Sequence, residues 1–162
     1  MGVAQILYTA RKNDEAIEEC RKALDMDPNF GFAHWTLGLA YMEKGMYEQA
    51  ILALQKSVQL SGDSPDEPAS LAQAYALSGR RGEALKIFDE LEQQSKLKYI
   101  SPTVIAMLCG PLGEKDRAFE LLNKAYDERD GLLVLLKIDP LFDPLRSDPR
   151  FQALLQRVGF PQ

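Results

Sequence analysis

At 162 residues the chain has room for one ordinary domain or for about four stacked helical hairpins. Its 46% apolar and 27% charged residues exclude a disordered chain, and 24 acidic against 19 basic residues, with no basic stripe, argue against the Lys/Arg field that nucleic acid requires. The longest plainly apolar run, residues 132–136, falls far short of the roughly 18 residues of a membrane span, so neither nucleic acid nor a membrane is expected as a partner and a cytoplasmic location is.

In chain order, the first elements are helices at about 3–11 and 14–26. Ala16, Cys20 and Ala23 form the apolar stripe of the second, Asp14 and Glu15 suit its positive N-terminal end, and Asp27-Pro28-Asn29 stops it. Helices at about 31–44 and 47–60 follow, with Leu37, Gly38 and Tyr41 at helical spacing, a turn at Gly45, and Ala50, Leu54 and Val58 on the next stripe. The third pair, about 66–78 and 81–94, repeats this with Leu71, Ala72, Tyr75, Gly79, Ala84 and Phe88. The fourth, about 101–111 and 115–128, opens with Ser101 as a cap and Pro102 in the first turn; Pro111 removes a donor near the end of its first helix, whose last turn is expected to fray or kink. Ala16, Ala50, Ala84 and Ala118 recur at a step of 34, each followed four residues on by Cys20, Leu54, Phe88 or Leu122, so the four pairs are stacked copies of one unit.

The residues that carry this period resemble the tetratricopeptide repeat family: Leu37-Gly38-Leu39-Ala40-Tyr41 then Ala50 and Leu54, Leu71-Ala72 with Tyr75 then Ala84 and Phe88, and weaker copies through Ala16 and Cys20 and through Ile105-Ala106, Cys109, Ala118 and Leu122. The resemblance covers roughly residues 1–131. It implies an all-α right-handed superhelix of antiparallel helix hairpins, with units at about 1–30, 31–64, 65–98 and 99–131 in a single array over 1–162. By that register the first unit lacks its first four positions, so an excerpt from a longer protein is expected, with a natural start and a shortened first helix as the alternative. His34 stands at the family's tryptophan position and the aromatic falls one residue later, at Trp35, which turns a large ring toward the inner face.

Residues 132–162 break the repeat. Three Asp-Pro steps, at Asp139, Asp143 and Asp148, are turn and capping signals, and Phe151, Leu154, Leu155 and Val158 trace an amphipathic helix at about 149–158. The segment is expected to be a C-terminal cap docked on the last hairpin, without a ligand role; such endings look like those of tetratricopeptide regions in larger bacterial multidomain proteins.

No catalytic constellation emerges. His34 is the single histidine and reads as a surface or packing residue, there is no phosphate-binding glycine loop, and Cys20 and Cys109 lie too far apart in sequence for a knuckle and read as small buried hydrophobes, so no enzyme activity, cofactor or metal is expected. The family resemblance places the first helix of each hairpin on the concave side. Carried over by register, the inner face comprises Gln5, Tyr8 and Thr9; Phe32, Trp35, Leu39, Met42 and Glu43; Asp66, Ala69, Gln73, Ala76 and Leu77; and Ile100, Thr103 and Met107. The protein-binding residues expected among these are Tyr8, Phe32, Trp35, Leu39, Met42, Glu43, Gln73, Leu77, Thr103 and Met107, holding a peptide or protein segment of unknown identity. The alternatives are a structural or regulatory spacer without a separate ligand, and a homodimer formed through the exposed repeat end.

Overall fold

The computed structural model describes residues 2–62 and 64–159. Among them the chain is all helix, with no strand: α1 Val3–Thr9, α2 Asn13–Met26, α3 Gly31–Glu43, α4 Tyr47–Leu60, α5 Asp66–Leu77, α6 Arg81–Ser95, α7 Pro102–Leu112, α8 Lys115–Asp127 and α9 Pro149–Val158. Two 3-10 turns, Gly131–Leu135 and Pro140–Leu145, lie between α8 and α9. None of these helices is long and apolar enough to cross a membrane.

The four equivalent alanines are all fully buried, which is what a repeated helix crossing requires: a methyl is the largest group that lets the two helices of a hairpin close up. At Gly38 even that does not fit, since a Cβ there would stand 2.5 Å from Leu54 Cγ. The turns inside the hairpins share a second constraint. Gly45, Gly79 and Gly113 adopt φ of 71, 84 and 78°, the left-handed region open to glycine, and Arg11, at the same step of 34, takes φ 60°. This reversal ends α1 at Thr9, two residues before the expected boundary.

Neighbouring hairpins are cross-linked in register. Arg21 Nη2 donates to Tyr41 Oη and Gln55 Nε2 to Tyr75 Oη, each at 2.9 Å. Cys20 and Cys109 are buried thiols, pushed by desolvation up to about 11 and about 12 respectively, as their reading as small hydrophobes requires. His34 is half-buried, with Nε2 2.9 Å from the Pro28 carbonyl oxygen.

Pro111 neither frays nor breaks α7. The helix continues to Leu112, where Gly113 N–H reaches the Gly110 carbonyl and Glu114 N–H the Cys109 carbonyl. The carbonyl that a non-proline residue at 111 would bond, that of Met107, accepts instead from Gln73 Nε2 at 2.7 Å. A side chain of the neighbouring hairpin thus replaces the missing backbone donor.

The segment after α8 does more than dock on the last hairpin. Asp130 accepts from Leu132 N–H at 3.0 Å and from Thr103 Oγ1 at 2.7 Å, and also from Ser101 Oγ, tying the start of α7 to the end of α8. Burial alone would raise its carboxyl, but these bonds together hold it below the usual carboxylate range. Phe142, Leu145, Phe151 and Leu154 are buried in the core of the C-terminal half, each fully covered side chain contributing about 1.5–3 kcal/mol. α9 lies on α8, with the Arg150 guanidinium 4.2 Å from the Phe119 ring centre and that of Arg157 4.3 Å from Tyr126. Between the two, the chain runs back along the odd-numbered helices as far as α1.

Candidate functional site

α1, α3, α5 and α7 present a common face, because the first helix of every hairpin falls on the same side of the stack. The segment 139–146 crosses this face as a strap, fastened to the first hairpin at two points. Tyr8 Oη donates to Asp139 Oδ1 at 3.4 Å, across 131 residues, and Arg11 Nη2 grips both oxygens of Asp143 at 2.9 and 2.7 Å. Arg146 supports the strap from within, through Asp143 Oδ1 at 2.5 Å and the Asp139 carbonyl at 3.1 Å. Of the three aspartates expected to cap, Asp139 and Asp148 do, accepting from the N–H groups of Leu141 and Arg150 at 3.0 Å; Asp143 instead binds the two arginines.

Leu141 projects from the strap into the groove and divides it. On one side a half-open cavity of about 350 Å³ is lined by Gln5, Thr9, Phe32, Trp35, Asp66, Ala69, Ser70, Gln73, Val104 and Met107 from the four odd-numbered helices, and by Leu132, Leu135, Asp139 and Leu141 from the C-terminal segment. The Phe32 and Trp35 ring centres are 5.6 Å apart, and Trp35 Nε1 donates to Ser70 Oγ at 2.8 Å, which fixes the indole at the rim. On the other side a smaller cleft of about 230 Å³ is bounded by Met42, Glu43, Tyr47, Gln73, Leu77, Pro111 and the strap.

The ten residues expected to bind protein therefore divide into four groups. Phe32, Trp35, Gln73 and Met107 share the larger cavity, and Met42, Glu43 and Leu77 the smaller one, Gln73 touching both. Tyr8 is wholly buried and fastens the strap. Leu39 and Thr103 are enclosed and line neither space: Leu39 belongs to the core of the N-terminal half, and Thr103 is engaged by Asp130. Sequence reasoning missed Ser70 and Val104, one residue from the positions the register assigned, and it missed the whole contribution of residues 132–141, read as a cap without a place in the groove.

The electrostatics of the strap are set by burial. Desolvation lifts the Asp139 carboxyl above its ordinary range despite the bonds from Leu141 N–H and Tyr8, and lifts Glu43 despite Arg11, whose Nη1 is 3.8 Å from Glu43 Oε2. Asp143 goes the other way: burial would raise it, but the hydrogen bonds and charges of Arg146 and Arg11 outweigh burial and lower it. Tyr8, with desolvation foremost and Asp139 beside it, is raised well above its ordinary value and stays a proton donor.

Residues 2–65 match a family model described as tetratricopeptide repeat. A small glutamine-rich tetratricopeptide repeat-containing protein 2 from Mycosarcoma maydis is 39% identical over 49 residues, 30% of this chain and 14% of that protein. FK506-binding protein 5 from Rhizopus delemar is 42% identical over 57 residues, 33% of this chain and 15% of its own length. The chain thus spans about one seventh of the length of these relatives. Among solved structures, the crystal structure of MamA superposes with a TM-score of 0.55 at 22% identity, covering 98% of this chain and 95% of that one, which supports a shared helical fold over the whole length. Residues 2–65 thus carry tetratricopeptide repeat sequence, and the period of 34 with its buried alanines continues the same hairpin unit to Ala118.

Proposed function

We propose that this chain is a non-catalytic scaffold whose concave face receives a segment of a partner protein. Tetratricopeptide repeats generally mediate protein–protein interaction, and proteins of this family and fold are typically non-enzymatic. The observation that carries the reading to the groove is the half-open cavity beside the strap, with Phe32 and Trp35 at its rim. Rigid aromatic side chains around a mostly apolar concavity are what a peptide's anchoring residue fits. Phe32, Trp35, Gln73 and Met107 are the proposed contacts there, with Met42, Glu43 and Leu77 extending the path past Leu141; Tyr8, Leu39 and Thr103 support the face from behind.

Selection from a displayed peptide library, with calorimetry on the recovered peptides, tests this. A groove-binding peptide loses at least about tenfold in affinity on Trp35→Ala, a change of about 1.4 kcal/mol, and shifts amide signals along α3, α5 and the strap. Peptides that bind Trp35→Ala as tightly as wild type, or that map to α2, α4 and α6, would overturn it.

The strap itself supports a second reading, a spacer whose groove is satisfied in cis by Leu141. A library that yields no groove-directed peptide favours it. A second copy of the chain is a further proposed partner, since Val3 and Ile6 on α1 are 63% and 53% exposed, and sedimentation of Val3→Asp/Ile6→Asp against wild type tests that contact.

A further inference from the structure

The larger cavity offers acceptors and negative charge, and its lining includes no cation. Gln73 is only 1% exposed, its amide nitrogen is committed to the Met107 carbonyl, and its Oε1 has no donor among the described residues. Reversing the amide would not help: it would set two oxygens together and orphan the Met107 carbonyl as well. A buried amide oxygen without a partner is rare in a folded protein and marks a place where a donor belongs.

Asp66 lies on the same wall. Burial, with Glu67 beside it, raises its carboxyl above the ordinary range, and no basic side chain pairs with it among the described residues. Both acids also complement the positive end of α5, which accounts for their place in the helix but not for the bare Gln73 oxygen. The strap contributes a second carboxylate, Asp139, to the lining. The rest is apolar and aromatic, and the Trp35 ring adds a face that attracts cations.

We infer that this cavity is a binding site for a positively charged N–H donor on an apolar stem, the chemistry of a lysine or arginine side chain next to a large apolar residue in a partner protein. The inference rests on the groove being the peptide-binding face. A cation entering here meets desolvated carboxylate rather than water, beside a wall in which the Gln73 oxygen lacks a donor; charge-assisted bonds are about twice as strong as neutral ones. An anionic group would meet Asp66 and Asp139 with no cation in the lining itself.

Trp35 is the single tryptophan of the chain, so its fluorescence reports occupancy directly. Three probes with one frame separate charge from shape: 4-phenylbutylammonium, 4-phenylbutanol and 4-phenylbutyrate, titrated into the intact chain at pH 7. The ammonium is expected to bind at least about tenfold more tightly than the carboxylate, with the alcohol between them. Asp66→Asn should bring the ammonium down to the level of the alcohol and leave the alcohol unchanged. Equal binding of all three, or an ammonium preference that survives Asp66→Asn, would sink the charge inference while leaving the groove reading intact. Silence from all three up to about 10 mM, in a protein that still binds a library peptide at Trp35, sinks the inference alone; silence toward peptides as well sinks both. The wild-type probe series needs no variant, so a poorly folded Asp66→Asn protein would not spare the idea.

Discussion

Arg11 occupies a position where the other three hairpins have glycine, and its φ of 60° costs about 1–2 kcal/mol for a side-chain-bearing residue. Its guanidinium grips Asp143 and lies 3.8 Å from Glu43, an exposed arrangement worth about 0–1 kcal/mol. Arg11→Gly should therefore leave global stability within about 1 kcal/mol of wild type while loosening the strap. Faster amide exchange at Leu141 with an unchanged melting temperature is the expected pair of results; slower exchange would contradict the latch. Asp139 predicts a pH dependence. Its carboxyl, raised by burial above its ordinary 3.8, faces Tyr8, Arg146, Asp143, Glu43 and, through Asp143, Arg11. A raised folded-state pKa contributes stability below the unfolded value, and that contribution is lost as pH rises through the folded one. Asp139→Asn keeps an acceptor for Leu141 N–H and cannot ionise, so its melting temperature should gain on wild type more at pH 7 than at pH 4. A constant difference across that range would count against this account.

Helices α3 and α4 are pressed together at Gly38 and Leu54, and α5 and α7 are joined through Gln73 and the Met107 carbonyl. Gly38→Ala should cost about 1–3 kcal/mol from overpacking, and the double change with Leu54→Ala should cost less than the two single ones summed. Gln73→Leu leaves the Met107 carbonyl without its donor and should cost about 1–3 kcal/mol; in a Pro111→Ala background, where residue 111 regains its N–H, the cost should shrink. Denaturant unfolding of the four proteins measures this coupling, and strict additivity would refute it. The helix limits and the buried alanine series were legible because both follow from a period, and a period is local information repeated. The destination of residues 139–146 was not. Asp-Pro steps specify turns, and nothing in them encodes a partner 131 residues away. The repair of Pro111 was hidden for the same reason, since Gln73 belongs to another hairpin. Arg11 was readable in principle: aligning positions 11, 45, 79 and 113 shows an arginine where three glycines stand.

Across the molecule, residues 132–162 supply Phe142, Leu145, Phe151 and Leu154 to the core and a wall to the groove. Removing them should lower the melting temperature and cause aggregation as α7 and α8 become uncovered, read by calorimetry and light scattering; an equally stable, monomeric product would show that the segment is dispensable. A repeat stack has contacts almost entirely between successive units, so its end units ordinarily peel away one at a time. The fastening of Tyr8 to Asp139 and of Arg11 to Asp143 changes that topology by joining the first helix to a segment that follows the last hairpin. Closing so long a loop carries a large entropic cost and rewards the chain only once the intervening hairpins exist, which places it after the folding transition state. Tyr8→Phe with Arg11→Ala should then leave the refolding limb of the chevron in place and raise the unfolding limb. The fastening thus works as a clasp on a bracelet: it does nothing to speed assembly and lengthens the time the assembled chain stays shut.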